Sequence, residues 1–133
     1  MPLETYSKFK PETPHLIWDG KCGFCKYWVI KWKKLTANKV RYLPFQQIHD
    51  QIEELSEQDF KEAVRLIETD GQIYSGAHAA YRTLHYSSRW TFLLSWYQKF
   101  TLFRKLSDST YQLIANNRPA LYKLTTTFFG KNP

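Results

Sequence analysis

Two cysteines, Cys22 and Cys25, stand three positions apart in the run Asp19-Gly20-Lys21-Cys22-Gly23-Phe24-Cys25, and the chain has no others. A pair at i and i+3 closes into a disulfide when its first member lies at a helix N-terminus. There, unpaired backbone N–H groups and the helix dipole favour a thiolate. On this reading Cys22 is the exposed, lower-pKa nucleophile and Cys25, one turn in, the more buried resolving thiol. The corresponding chemistry is attack of the Cys22 thiolate on a substrate disulfide, then displacement of the reduced substrate by Cys25. It needs no cofactor, but an unidentified reductant must reopen the Cys22–Cys25 bridge for turnover. Asp19 completes the candidate catalytic set. It either relays a proton to or from Cys25 or shapes the turn and caps the helix. Lys21 and Lys26 flank the pair and would favour the thiolate further.

Metal binding is the competing chemistry. A structural zinc site takes four ligands, commonly two close pairs. This chain has no second cysteine pair, and His15, His49, His78 and His85 are scattered. The redox reading is preferred, and no metal is expected.

The elements that must position the cysteines follow from periodicity. Residues 1–14 are polar, carry three prolines and read as a loose N-terminal arm ahead of a single domain over 15–133. His15-Leu16-Ile17-Trp18 is a short apolar run that predicts a buried strand, broken by Asp19-Gly20. From Cys25, apolar Trp28, Val29, Trp32 and Leu35 recur at helical spacing between lysines, with Asn38 as a stop signal. Val40-Arg41-Tyr42-Leu43 predicts a second strand ended by Pro44. Residues 46–62 predict an acidic helical stretch with Ile48, Ile52 and Leu55 on one face and a fresh cap at Ser56-x-x-Asp59. Val64–Thr69 and Gln72–Gly76 flank Asp70-Gly71, the signature of a hairpin with a two-residue turn. Helices are expected over Ala77–Tyr86, Arg89–Leu106 and Ser109–Asn116, with Pro119 bounding the last or starting a further short turn. The order predicts an α/β domain.

The Asp19-Gly20-Lys21-Cys22-Gly23-Phe24-Cys25 run resembles the D-G-x-C-x-x-C signature of the DCC family of thiol–disulfide oxidoreductases. Val40–Pro44, Asp70-Gly71 with Tyr74, Gly76 and Ala79, and Tyr111 through Asn117-Arg118 resemble further family segments in the same order. The resemblance runs from Ile17 to about Leu121. It implies a thioredoxin-like fold: a four-stranded mixed sheet with flanking helices and an extended helical C-terminus. Two departures matter. Well-studied thioredoxins carry a cis-proline before the hairpin, whereas Phe60-Lys61-Glu62-Ala63-Val64 has none, so the substrate-docking surface must be built differently. The Gly23-Phe24 dipeptide is also unlike those of thioredoxin or glutaredoxin. His78, after the hairpin, is a modulator of Cys22 on the thioredoxin plan or a surface histidine without a role. Asn117 and Arg118 either bind a carboxylate or cap and pair at the surface.

Composition sets the partners. The formal charge is +7. From Gly20 to His49 there are seven basic residues and no acid; Asp50–Asp70 holds eight acids; beyond Gly71 eight basic residues face Asp108 alone. The N-terminus lacks a secretory signal and no apolar run approaches the ~20 residues of a membrane span, so a cytoplasmic chain is expected. The expected partners are a disulfide-containing protein or a small thiol, with no specific nucleic acid. The alternative is a non-catalytic binding module that uses a basic, aromatic surface for a protein, a membrane surface or a nucleic acid. Trp90 or Phe103, left exposed near Arg89, Lys99, Arg104 and Lys105, would supply such peripheral membrane or protein contact.

Overall fold

A computed structural model describes residues 5–87 and 91–129. The chain runs β1 (Thr5–Tyr6), β2 (His15–Trp18), α1 (Gly23–Thr36), β3 (Arg41–Pro44), α2 (Phe45–Ile48), a 3-10 turn (His49–Gln51) and α3 (Glu57–Glu62). It continues through β4 (Arg65–Ile67), β5 (Gln72–Ser75), α4 (Gly76–His85), α5 (Thr91–Lys99), α6 (Thr101–Asn116) and α7 (Arg118–Phe129).

The four expected strands form a mixed sheet in the order β3-β2-β4-β5, and the two-residue β1 adds a fifth, antiparallel to β5 at its edge. Strand β2 is parallel to β3 and antiparallel to β4, which is antiparallel to β5. The period of two sends Leu16, Trp18 and Leu66 to one face, against Cys25 and Val29 of α1 and Ala79 of α4. Ile17, Ile67 and Ile73 go to the other, against Ile48, Ile52, Leu55 and Phe60. Covered on both faces, β2 is buried throughout, which is why its sequence is a continuous apolar run. The domain is α/β and thioredoxin-like, and α5–α7 extend it as a helical C-terminus.

Several boundaries differ from the sequence expectation. Part of the supposed arm is tied to the sheet: Thr5 and Tyr6 pair with Ile73 and Gln72, and the Ser7 N–H donates to the Gly71 carbonyl at 2.7 Å. The outer edge of β5 presents backbone groups that a polar segment can satisfy without any apolar periodicity of its own. The hairpin loop has three residues, not two. Glu68 N–H donates to Gln72 O and Gly71 N–H to Glu68 O, so Gly71 (φ +91°) takes the left-handed position and Asp70 does not. Residues 46–62 break into α2, the 3-10 turn and α3, although Ile48, Ile52 and Leu55 are all buried. Ser56 and Asp59 do form a reciprocal capping box at the start of α3.

The expected helix to Leu106 is interrupted at Phe100, whose backbone is extended; its start at Arg89 lies outside the described residues. Beyond Phe100, α6 runs unbroken through the position where a new helix was expected at Ser109. Pro119 is the second residue of a twelve-residue helix that opens at Arg118, in the first turn, where a backbone N–H has no intrahelical acceptor and its loss costs nothing. On α1 the buried stripe includes Tyr27, and Leu35 is exposed.

Candidate active site

The site begins at the turn between β2 and α1. Asp19 accepts the Lys21 N–H on Oδ1 at 3.0 Å, and its carbonyl accepts the Cys22 N–H at 3.0 Å. Gln46 of α2 clamps this turn from the far side. Its Nε2 donates to Asp19 Oδ1 at 3.0 Å and its Oε1 accepts the Gly20 N–H at 3.1 Å. Glycine is required at position 20 because a Cβ there would lie 2.8 Å from the Cβ of Pro44. Asp19 thus shapes the turn. The cap of α1 is not Asp19 but Cys22, whose sulfur accepts the Cys25 N–H at 3.2 Å.

This capping contact aims a helix N-terminus at the Cys22 sulfur. The Cys22 thiol is pulled down to about 6, first by the hydrogen bond from the Cys25 thiol, then by the Cys25 N–H and the Arg118 charge. Partial burial and the Asp19 carboxylate oppose that shift. Cys25 moves the other way: its hydrogen bond to Cys22, burial and the neighbouring sulfur's charge all push it up. The two thiols are free, Cys22 half-buried and Cys25 buried. A cation that acts on both sulfurs is Arg118, whereas the flanking Lys21 and Lys26 are exposed to solvent. Among the described residues, no three His, Cys, Asp or Glu side chains are grouped to hold a metal ion.

A model of the DCC1-like thiol-disulfide oxidoreductase family matches residues 16–124. The chain belongs to that family. No curated protein and no solved structure matches it significantly.

In this member of the DCC1-like family the C-terminal helices build one wall of the site. Arg118, at the start of α7, donates from Nη1 to the Lys61 carbonyl at 2.9 Å and from Nη2 to the Glu62 carbonyl at 3.2 Å. These bonds hold its charge beside the cysteines. Tyr122, one turn further along α7, lies against Gly23, where a Cβ would meet its ring at 3.3 Å. From α6, the Tyr111 hydroxyl accepts the Val64 N–H at 3.0 Å. Val64 directly precedes β4, in the stretch where thioredoxins carry their cis-proline; among the described residues no peptide is cis. Between α1, α4 and α6 opens a cavity of about 380 Å³ with Cys25 and Arg118 in its lining. A second cavity, of about 520 Å³, includes none of the motif residues.

His78 does not join the site. Its ring packs against Tyr74 and Tyr97, each at 4.7 Å, and burial, followed by Arg82, lowers its pKa to about 4. The turn into α4 places the side chain among α4, β5 and α5. Asn117 bonds back to the Leu113 carbonyl at the end of α6. Gln46 and the reach of Tyr111 were missed by the sequence reading. No local pattern marks either, since each acts across a long sequence separation.

Proposed function

We propose that the protein is a dithiol–disulfide exchanger in which Cys22 is the nucleophile and Cys25 the resolving thiol. The family supports thiol–disulfide oxidoreductase chemistry in general. The observation that carries the specific reading is the divergence of two neighbouring thiols: one is a helix cap with a lowered pKa, the other a buried, protonated donor to it. The Cys22 thiolate attacks a substrate disulfide, forming a mixed disulfide and releasing one substrate thiolate. Cys25 then loses its proton and attacks the Cys22 sulfur. The second substrate thiol leaves, and the Cys22–Cys25 disulfide retains the two-electron oxidation. Charge on Cys22 disappears in the mixed disulfide, which removes one of the causes holding the Cys25 pKa up. Asp19 serves as a positioning residue that fixes the turn, with Gln46 behind it.

Trapping tests this assignment. A Cys25→Ser variant is expected to accumulate mixed disulfides on Cys22 with a disulfide substrate, and Cys22→Ser is expected to accumulate none. Wild-type protein that reduces no model disulfide, together with a Cys25→Ser variant that traps nothing, would refute it.

A second reading rests on the surface of α5 and α6. Phe92, Trp96, Phe100, Leu102 and Leu106 are exposed, with Lys99 and Lys105 beside them. Such a patch suits docking to an anionic surface. Phe103, expected in this patch, instead stacks on Tyr81, and Trp90 lies outside the described residues. Thiol-independent sedimentation with anionic vesicles is the measurement that would favour this reading.

A further inference from the structure

The cavity beside Cys25 has an unusual lining for a redox site. Trp28 and Trp32 of α1 form one side, Leu84 of α4 another, and Ile114 and Ala115 of α6 the third. Val64, next to the β4 strand, lies between them. Among the described residues the lining contains no acid and one cation, Arg118, whose charge acts on Cys25. Its volume of about 380 Å³ falls in the range of small-molecule sites, and its walls are apolar and aromatic with few polar groups, as such sites are.

Packing alone does not account for the opening. Small side chains, Ala80 of α4 and Ala115 of α6, line the cavity with the broad rings of Trp28 and Trp32 and leave its space unfilled. The hydroxyl of Tyr111 is bound to Val64 and fixes α6 at that distance from the sheet. The cavity therefore belongs to the frame of the site and has the resolving cysteine in its lining.

Accepting the dithiol assignment above, we propose that this cavity takes the apolar arm of a low-molecular-weight disulfide, so that alkyl or aryl disulfides are preferred over hydrophilic ones. In the first step the substrate sulfur bonds to Cys22 and its partner leaves as a thiolate. The arm of the retained half lies along the Trp28–Trp32 wall. Cys25, at the edge of that wall, then attacks the Cys22 sulfur and expels the retained half as a thiol, leaving the substrate reduced by two electrons and the cysteine pair oxidised. With Arg118 and no acid among the described lining residues, a neutral or anionic arm is favoured over a cationic one.

The test compares bis(2-hydroxyethyl) disulfide with bis(6-hydroxyhexyl) disulfide in single turnovers of fully reduced protein. Burial of a methylene group contributes about a fourfold preference, so filling even part of the cavity should favour the longer disulfide by about tenfold or more. Ala115→Phe and Ala80→Leu, on two different helices, narrow the cavity. Each should abolish that preference, bringing the ratio of the rates with the long and the short disulfide to about one. Circular dichroism checks that each variant folds. Binding of the redox-inert thioether bis(6-hydroxyhexyl) sulfide, followed by tryptophan fluorescence, provides a readout without any thiol chemistry. Saturable binding by wild type that is lost in both variants is expected. Failure to react with either disulfide, with thioether binding intact, would count against the dithiol assignment and leave the cavity as a binding site. Equal rates for the two disulfides, or no thioether binding by wild type, would overturn the cavity proposal itself.

Discussion

The Tyr111 hydroxyl accepts the Val64 N–H at 3.0 Å, so a helix from the C-terminal extension bonds to the backbone at the start of the central hairpin. The contact spans 47 residues of sequence. It satisfies a partly buried donor at the wall of the site and sets the position of α6. Removing the hydroxyl with Tyr111→Phe leaves that donor without its partner, at a cost of about 1–3 kcal/mol. Urea unfolding of the variant should show this loss, and hydrogen exchange at the Val64 amide should accelerate. An unchanged midpoint would mean that water replaces the hydroxyl at little cost.

The thiolate of Cys22 should appear at low pH. With its pKa near 6, alkylation by iodoacetamide is expected to rise with a midpoint near that pH and to be almost complete by neutrality. Arg118→Met removes a cation that lowers the pKa, so the midpoint should move up. Asp19→Asn removes a carboxylate that raises it, so the midpoint should move down. Thiolate absorbance measured against pH reads both shifts. Movement of the two variants in the same direction would contradict the electrostatic account.

That depressed pKa also links stability to pH. The unfolded thiol ionises near 9.0, whereas the folded one ionises near 6. Between these values the unfolded state binds more protons, so the reduced protein gains stability as pH rises and loses it as pH falls through the folded value. Cys22→Ser should flatten this component of the stability profile. The comparison is best made by denaturant titration of the reduced forms at pH 6 and pH 9.

His78 gives a separate acid-side dependence. Its folded pKa is about 4 against an ordinary 6.5, so protons bind preferentially to the unfolded chain between those values. Stability is therefore lost as pH falls through that window. Nε2 of His78 is buried with no hydrogen-bond partner among the described residues, and its ring packs against two tyrosines. His78→Phe is expected to keep the packing, fold at neutral pH with no loss, and resist acid better than wild type. A variant as acid-labile as wild type would show that other groups dominate this window.

Gly71 ties the first strand to the hairpin. Its φ of +91° suits glycine, and a Cβ there would lie 2.5 Å from the Ser7 carbonyl oxygen. Gly71→Ala should destabilise the fold by roughly 2 kcal/mol from backbone strain and this clash together. Faster exchange at the Ser7 amide, bonded to the Gly71 carbonyl, would locate the effect at β1.

Local chemistry made the motif legible. A strand, a turn at Asp19-Gly20 and a helix beginning beside the cysteines are dictated by apolar spacing and by turn residues over a short stretch. The same locality gave the second strand, the capping box at Ser56 and Asp59, and the existence of the hairpin. Its loop length was less legible, because Asp-Gly is compatible with both a two-residue turn and a longer loop ending in a left-handed glycine. The break at Phe100 was hidden as well: apolar residues continue through it, and no Gly or Pro marks it. What tertiary structure alone decided was the setting of the dithiol. Arg118, rather than the adjacent lysines, acts on the sulfurs because α3 offers two carbonyls that anchor its guanidinium there. Gln46 braces the Asp19 turn, Tyr111 reaches Val64, and His78 turns away to lie between tyrosines. Each of these depends on how distant elements pack, and a charge or hydroxyl has no periodicity by which the sequence could announce its partner. The sequence determined that two thiols stand at a helix start. Packing decided which charges and which cavity surround them.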